Sequence, residues 1–469
     1  MRYVLVALVA FVALVALVVV AAVGPIDAPP RQLAPWIEQH VAGHANLIVH
    51  IGRDVAGALR VLARGRETFH DPLPIPALDA PAAPIPGRPV IVGSAAEALR
   101  AIDDAQPGDV ITFIPGTYRF DGVFVDVARP GTPDAPITVR ADRPQSVVLE
   151  FDMLEGFRVR APYWTFENLT IRGVCADHAN CEHAFHVVGA ASHFVARNDE
   201  VVDFNAQFKI NGSGGEYPDF GLIEGNVIRD SAPRQTDNPV TPIDLVAASH
   251  WRIVGNRISD FIKAGGNRTS YGAFAKGGGR DNALLRNFVV CEHHLRGIPG
   301  RRVGLSLGGG GSSRQACRDG GCVSEQYGGI IASNVVASCS DDGIYLNRAA
   351  ISVVAHNTLV DTGGITARFG ETSADVEGNL VDGVIRAAAD ASVDARDNRT
   401  TATGSLYLGM HPLRRLFADP AKLDLRWRGE PPRRARVATP PADLCGTPRP
   451  PQPVYGAFED IGRCNVAAD

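Results

Sequence analysis

The sequence predicts an all-β protein, a right-handed parallel β-helix in which short strands stack into a solenoid. The 469-residue chain contains 49 glycines and 33 prolines, and 21% of its residues are charged. Many short strands joined by tight turns give this composition. A pattern of apolar, polar, apolar, asparagine, apolar, polar, apolar also recurs along the chain, and its two-residue alternation indicates strands. Its recurrence indicates coils that bury their apolar residues by stacking on one another.

The recurring asparagines define the coils. From the first to the last, the steps are 30, 28, 30, 31, 47, 23 and 22 residues. The members are Asn168, Asn198, Asn226, Asn256, Asn287, Asn334, Asn357 and Asn379. An asparagine between two short strands suits a turn with one left-handed residue. We therefore expect these residues to form the turns and to hydrogen-bond to one another in a ladder.

An apolar segment precedes the repeats. Residues Val4–Val23 are uninterruptedly apolar after Arg2, and twenty helical residues span a hydrocarbon layer of about 30 Å. Residues 1–24 are therefore predicted to be a membrane-spanning signal anchor or a cleaved signal peptide. The length favours the anchor. Either interpretation places the rest of the chain outside the cytoplasm, at the membrane or secreted.

Four further regions follow this segment. Apolar residues from Leu33 to Leu62 recur at helical spacing, so residues 25–70 are predicted to hold a membrane-proximal helix, either oligomerising or packed on the main domain. Residues 71–89 are a Pro-rich linker. The β-helix is assigned to residues 90–415, and the Pro- and Arg-rich residues 416–469 to an irregular C-terminal capping segment.

The cysteines and the net charge limit the function. Eight cysteines in an exported chain favour disulfides, and none has the spacing of a zinc site. Close pairs are Cys175/Cys181, Cys317/Cys322 and Cys445/Cys464, which leaves Cys291 and Cys339. The formal net charge of −5 argues against nucleic acid as a partner.

Aligning one strand from each coil predicts a polar row on one sheet face. Where the flanking apolar residues point inward, seven polar residues point outward, about 4.8 Å apart from coil to coil. They are His186, Lys209, Asp244, Lys276, Ser306, Tyr345 and Arg368. Such a mixed row suits a groove for an acidic sugar chain, although an ordinary solvated sheet face would read the same way. Glycine-rich turns beside the row favour the groove, because glycine lets a ligand approach the backbone closely.

The start of the main domain resembles a known family. The segments Pro107–Tyr118, Ala135–Ala141 and Val147–Glu150 are similar to the first coils of polysaccharide lyases such as chondroitinase B and alginate lyases. The resemblance implies a right-handed parallel β-helix and β-elimination by a lysine base, assisted by an arginine and a calcium ion. Lys276 is the matching lysine. The family's acidic pair before it is replaced by Thr269, Ser270 and Tyr271, and no arginine lies in Gly304–Gly309. We therefore expect no protein metal site, although calcium belongs to the family pattern.

These observations predict a protein that acts on or binds acidic, uronate-containing polysaccharide. If it is an enzyme, it is a lyase with Lys276 as base and Tyr345 or His186 as acid. Arg280 and Arg368 then bind carboxylates, and Lys209, Asp244 and Ser306 contact the substrate. The alternative is a non-catalytic carbohydrate-binding or scaffolding solenoid of the cell envelope. An epimerase or hydrolase on the same fold is a third, weaker possibility.

Overall fold

The computed structural model describes residues 29–41, 43–64, 86–309, 312–435 and 441–465. The predicted signal segment, residues 1–24, and residues 71–85 of the predicted linker lie outside these ranges. Among the described residues, no helix combines the length and the apolarity needed to cross a membrane. The described chain forms two compact units, which we treat separately.

The smaller unit is helical. Its helices are Pro30–Val41, Asn46–Arg64 and the short Thr403–Tyr407. The apolar stripe suggested one helix, but the chain turns between the first two, where Gly43 has a φ of 85°. The two long helices then pack against each other, and a Cβ on Gly52 would lie 2.7 Å from Val41. The guanidinium of Arg60 also binds Glu38, at 2.8 Å.

The larger unit is a parallel β-helix of three long sheets, as the sequence predicts. Each coil contributes one strand to each sheet in turn, and within all three sheets every neighbouring strand is parallel. The first sheet contains Arg88–Val92, Asp109–Phe113, Ile137–Ala141, Trp164–Glu167, Val195–Arg197, Leu222–Glu224, Arg252–Val254, Ala283–Leu285, Ile330–Ala332, Ser352–Ala355, Ser373–Glu377 and Ser392–Arg396. The second contains Gly116–Asp121, Val147–Asp152, Thr170–Gly173, Glu200–Val202, Val227–Arg229, Arg257–Ser259, Phe288–Val290, Val335–Ala337, Thr358–Val360, Leu380–Val381 and Arg399–Thr400. The third contains Val125–Val127, Glu155–Val159, His183–Val188, Ala206–Asn211, Ile243–Val246, Thr269–Lys276, Arg301–Gly308, Ile344–Asn347, Gly364–Arg368 and Val384–Ala388.

Smaller elements flank these sheets. Gly279–Arg280, Gln326–Tyr327 and Ala349–Ala350 form a short parallel sheet between the third and the first, and Phe417–Asp419 pairs antiparallel with Asp424–Trp427. The helix Ala95–Asp103 packs on the first strands and buries Ala98 and Ile102. It begins at Ser94, whose hydroxyl accepts the N–H of Glu97 at 3.2 Å. Ser94 and Glu97 have capping-box spacing, a signal that the strand patterning obscured.

The core consists of apolar side chains stacked from coil to coil. Phe157, Phe185 and Phe208 are aligned residues of successive third-sheet strands and are fully buried. Their ring centroids are 5.5 and 5.1 Å apart, which matches the spacing of adjacent strands. Such stacking adds aromatic contact to the apolar area buried in each coil.

The asparagine ladder lies between the first and second sheets. Each buried member accepts the backbone N–H of the member in the preceding coil, as Asn334 does from Asn287 at 2.8 Å. Its side-chain N–H donates onward, from Asn334 to Asn357 at 2.9 Å. The left-handed residue is the one before each ladder asparagine, for example Ser333 at φ 56°. Our assignment of the turn to the asparagine itself was therefore wrong in these coils.

The first two repeat asparagines are not ladder members. Asn168 and Asn198 are left-handed themselves, with φ values of 62° and 55°, so the next residue takes the ladder position. In the second coil that residue is Asp199, which accepts the N–H of Leu169 at 2.9 Å. The ladder then ends at Asn398, which accepts the N–H of Asn379 at 3.0 Å.

Four disulfides join all eight cysteines: Cys175–Cys181, Cys291–Cys339, Cys317–Cys322 and Cys445–Cys464. The three close pairs are those suggested by the spacing. Cys291–Cys339 links two coils through the core, where both residues are fully buried. Cys317–Cys322 closes a short loop in the insertion between Val290 and Val323.

The C-terminal segment lies along the side of the β-helix. Phe417, Tyr455 and Phe458 pack in one buried cluster with Phe288 and Val335 of the second sheet. The buried Arg434 adds polar contacts, donating to His356 at 2.8 Å, to Asp397 at 2.8 Å and to Glu377 at 3.2 Å. The sequence suggested a cap on the end of the solenoid, whereas this segment covers an outer sheet face across several coils.

Candidate functional site

The third sheet carries two polar rows rather than the single row predicted. The strand register aligns Arg158, His186, Lys209, Asp244, Phe274, Ser306, Tyr345 and Thr366, which we call the central row. Two residues further along the strands, the end row comprises Asn211, Val246, Lys276, Gly308, Asn347 and Arg368. Our alignment was therefore wrong for Lys276 and Arg368, whose places in the central row belong to Phe274 and Thr366. The strands Thr269–Lys276 and Gly364–Arg368 extend further than their sequence pattern indicates. The alignment therefore placed the last residue of each strand opposite the middle residue of the neighbouring strand.

His186 is held by a hydrogen bond on one ring nitrogen and by a carboxylate contact on the other. Its Nδ1 lies 3.1 Å from Glu155, and its Nε2 lies 2.9 Å from the side-chain oxygen of Asn211. Arg158 also donates to Glu155 at 2.8 Å. Burial alone would raise the pKa of Glu155, but the hydrogen bonds from His186 and Arg158 outweigh it and lower that pKa to about 2. The His186 ring is therefore held in one orientation on this face, and both of its nitrogens are already in contact with protein groups, which disfavours it as the catalytic acid.

Lys209 and Asp244 form an ion pair in the middle of the central row. The Lys209 ammonium lies 2.7 Å from the Asp244 carboxylate, and the Asp244 side chain is 9% exposed. Burial, together with electrostatic effects of His186 and Lys209, lowers the pKa of the neighbouring His183 to about 4. Both predicted binding residues thus lie on the outer face, already paired with each other.

Lys276 is the half-buried amine of this face. The Lys276 side-chain amine makes no hydrogen bond or ion pair with any residue within the described ranges. Its nitrogen lies 4.4 Å from the centroid of the Phe274 ring. The insertion packs beside it, since a Cβ on Gly309 would lie 3.5 Å from its side chain. Burial, and the charge of Lys209, lower the pKa of Lys276 against the opposing effects of Asp244 and Glu325. A partly desolvated lysine of lowered pKa is suited to accept a proton.

Tyr345 and Arg368 lie together, two to three strands from Lys276. Arg368 is exposed and interacts electrostatically with the Tyr345 phenol, and the Asn347 side chain donates to that phenol at 3.3 Å. Burial raises the pKa of Tyr345, so the phenol stays protonated at neutral pH. At about 4.8 Å per strand, Tyr345 is two strands from Lys276 and His186 is three. Tyr345 is thus the nearer of the two predicted acids.

Ser306 does not reach the surface. Its side chain is fully buried, and its hydroxyl donates to the carbonyl of Gly308 at 2.7 Å. Tyr217 and Ala316 pack over Val246 and Phe274 in a small cluster. The prediction of Ser306 as a substrate contact is therefore wrong, because chain outside the sheet covers this part of it.

Arg280 lies beyond the turn that follows Lys276. It belongs to the short flanking sheet and lines a pocket beside the disulfide-closed loop Cys317–Cys322. The structure thus separates the two predicted arginines, with Arg280 on the flank and Arg368 on the third sheet.

The residues around Lys276 do not fit a calcium ion. Calcium binds several oxygen ligands, but near Lys276 the Asp244 carboxylate already binds Lys209, and the Glu325 carboxylate already accepts the N–H of Gly277 and the hydroxyl of Ser312. Within the described ranges, two side-chain groups have metal-ligand geometry, and neither faces Lys276. One contains the Cys317–Cys322 disulfide, which lacks thiolates.

The other group is Asp260, His293 and His294. The two histidines lie in a bend, with ring centroids 4.1 Å apart. Asp260 accepts the backbone N–H groups of His293 at 2.7 Å and Leu295 at 3.0 Å, so its carboxylate holds the bend.

Sequence reasoning missed two carboxylates of this face, Glu325 beside Lys276 and Glu155 beside His186. Glu325 accepts the N–H of Gly277 at 3.0 Å and the hydroxyl of Ser312 at 2.8 Å, which holds the insertion against the turn after Lys276. It lies about fifty residues from Lys276 and carries no motif. Glu155 belongs to the coil before the first asparagine repeat, where the strand alignment had not begun.

Comparisons with known proteins support the fold. No protein-family model matches the sequence, and no curated protein matches it. A solved pectate lyase, Pel9A, aligns with 80% of this chain and 97% of its own, at 15% identity and a TM-score of 0.51. An alginate lyase from Paenibacillus sp. str. FPU-7 aligns with 67% of this chain and 95% of its own, at 17% identity and a TM-score of 0.39. A rhamnogalacturonan lyase aligns with 67% and 87%, at 12% identity and a TM-score of 0.46. The resemblance to polysaccharide lyases is confirmed as a likeness of fold.

Proposed function

We propose that this protein is a polysaccharide lyase that cleaves a uronate-containing chain by β-elimination on the outer face of the third sheet. The observation that carries the proposal is Lys276, a half-buried amine of lowered pKa without a hydrogen-bond partner among the described residues. Other buried or half-buried lysine amines of the described chain do have partners, since Lys209 binds the Asp244 carboxylate and Lys263 donates to the Asp237 carbonyl at 2.8 Å. The lyase fold, shared with a pectate lyase, supports the same reaction class.

The reaction needs one base and one acid. Neutral Lys276 removes the C5 proton, which is acidic because it lies α to the uronate carboxylate. The C–H electron pair forms the C4–C5 double bond as the C4–O4 bond breaks, and the leaving oxygen takes a proton from Tyr345. The cationic groups of the face, with Lys209 nearest to Lys276, stabilise the negative charge that develops on the carboxylate.

The location of the protein is part of this proposal. Four disulfides in one chain favour an oxidising compartment, and the apolar segment Val4–Val23 suits an exported protein. We therefore place the protein outside the cytoplasm, attached to the membrane by that segment or released from it. Extracellular acidic polysaccharides would reach it there.

The lyase activity is testable by ultraviolet absorbance. Incubating the protein with pectate, alginate and chondroitin should release unsaturated uronate from at least one polymer. A chelator should leave the rate unchanged, because the described carboxylates near Lys276, Asp244 and Glu325, are already bound by protein groups. Replacing Lys276→Ala should lower kcat by about 10²–10⁴-fold, the usual contribution of a general base. The matched control is Lys422→Ala, which removes a surface lysine paired with Asp419 and should change kcat less than twofold.

Two results would contradict the proposal. Wild-type protein that is inactive on all three polymers but binds one of them would favour the non-catalytic carbohydrate-binding function. Activity that survives Lys276→Ala would exclude this lysine as the base.

A further inference from the structure

A pocket of about 340 Å³ lies on the flank of the third sheet, beyond the turn that follows Lys276. It is lined by Gly278, Arg280, Arg318, Asp319, Val323, Ser324 and Tyr327. Its volume is at the lower end of the range for small-molecule sites, roughly 300–1,000 Å³. A sugar residue therefore suits it better than a larger ligand does.

The side of the pocket formed by Arg318 and Asp319 is fixed by hydrogen bonds and a disulfide. Arg318 donates to Asp219 at 2.7 and 2.8 Å and to Ser249 at 2.9 Å, and its backbone N–H donates to Gly277 at 2.9 Å. The Cys317–Cys322 disulfide closes the loop that carries Asp319. This side of the pocket is therefore preformed, and Arg318 serves as a wall because Asp219 already neutralises its charge.

Arg280 is the cation that a ligand can use. Its guanidinium makes no hydrogen bond or ion pair within the described part of the chain. It lies 5.1 Å from the centroid of the Tyr327 ring and interacts electrostatically with Asp319 of the same pocket. An exposed guanidinium can bind a carboxylate through two parallel hydrogen bonds. The available guanidinium of Arg280 therefore indicates an anionic ligand.

The other groups suit a sugar ring. Tyr327 and Val323 are 40% and 70% exposed, unusually open for apolar residues, and can contact the C–H face of a ring. One oxygen of Asp319 accepts the backbone N–H groups of Gly321 at 2.9 Å and Cys322 at 2.8 Å, and the hydrogen bonds from Cys322 and Gly321 lower its pKa. Its other oxygen can accept from a hydroxyl. A hexuronate carries the carboxylate, the hydroxyls and the apolar face that these groups suit.

We propose that this pocket is a subsite that binds one hexuronate residue of the polysaccharide, with Arg280 on its carboxylate and Tyr327 against its ring. The proposal rests on the lyase function for its polymer substrate. The pocket adjoins the end row at the turn after Lys276, so a chain lying over Lys276 can place a neighbouring residue there. Binding energy from this subsite would then position the scissile bond at the base.

Calorimetry on the full chain with Lys276→Ala tests the subsite without turnover. Trigalacturonate and trimannuronate are the probes, and cellotriose is the neutral control. Adding Arg280→Gln or Tyr327→Ala should weaken binding of at least one uronate trisaccharide about tenfold. The matched control is Arg252→Gln, an exposed arginine on the first sheet, which should leave Kd unchanged.

The outcomes separate the subsite from the lyase reaction. Unchanged Kd in both pocket variants, or no binding of either uronate at millimolar concentration, overturns the subsite even if the wild-type protein cleaves polymer. Tighter binding of cellotriose than of either uronate also overturns it. Binding that is lost in Arg280→Gln, in a protein inactive on every polymer, supports the subsite and leaves the lyase proposal wrong.

Discussion

At the scale of single residues, the chemistry depends on the charges around Lys276. Asp244 raises its pKa and Lys209 lowers it, while both residues sit in one ion pair. A base must be neutral to act, so the rate should rise with pH and level off above the pKa of Lys276. Because that pKa is lowered, the plateau should begin below the ordinary lysine value of about 10.4.

Opposite substitutions in the ion pair should move this profile in opposite directions. Asp244→Asn removes the attracting carboxylate and leaves Lys209 unpaired, so the rising limb of kcat/KM against pH should shift to lower pH. Lys209→Gln removes the repelling ammonium and leaves Asp244 unpaired, so the limb should shift to higher pH. Shifts of about half a unit or more are measurable. Loss of activity in both variants without opposite shifts would mean that the pair only supports the fold.

At the scale of the structural element, the ladder contains one chemical irregularity. Asp199 takes an asparagine position, and burial raises its pKa well above the ordinary value, against the hydrogen bond from Leu169. A protonated carboxyl can imitate an asparagine amide, with one oxygen accepting and the other donating. The equivalent acceptor in the preceding coil is the carbonyl of Phe166. By raising the pKa of Asp199, burial favours the protonated form, which matches the hydrogen-bond pattern of the ladder.

Asp199→Asn should therefore stabilise the protein. An aspartate whose pKa is raised on folding does not reduce the free energy of unfolding at pH values below its unfolded pKa of about 3.9. As the pH rises above that value, it reduces the free energy of unfolding increasingly. The free energy of unfolding at pH 7 should increase by about 1–3 kcal/mol, and the gain should vanish near pH 3.5. Denaturant unfolding at the two pH values measures both. Asp375→Asn, at an exposed position, is the control, and a destabilised Asp199→Asn would show that the carboxylate is ionised.

The ladder also shows what the sequence could predict. The asparagines and the two-residue alternation specify coil geometry, so the β-helix and its approximate coils followed from local pattern alone. The exposure of Ser306 and the register of Lys276 did not follow, because both depend on strand length and on an insertion packed over the sheet. Lys276 itself was identifiable, since an isolated lysine before three glycines has few structural roles.

At the scale of the whole molecule, contacts between residues far apart in the sequence were the hardest to predict. Arg434 donates to His356, which lies 78 residues away in the sequence. The backbone N–H of Ala457 donates to the Thr358 hydroxyl, 99 residues away, at 2.8 Å. No repeat or motif connects these positions, because the C-terminal segment binds through tertiary contacts, both polar and apolar. The disulfide Cys291–Cys339 was likewise left open, since spacing alone does not reveal that two coils bring these residues together.

The C-terminal segment should stabilise only the coils that it covers. In a solenoid each coil contacts its neighbours, so stability is approximately a sum of local terms. Phe458→Ala removes a fully buried ring from the cluster on the second sheet and should cost about 3–5 kcal/mol. Amide exchange should then accelerate in Phe288–Val290, Val335–Ala337 and Thr358–Val360, with little change in Val147–Asp152. Phe220→Ala, whose ring is 51% exposed, should alter neither region. Equal acceleration in the first and the later coils would show instead that the β-helix unfolds as one cooperative unit, with the C-terminal segment stabilising all of it.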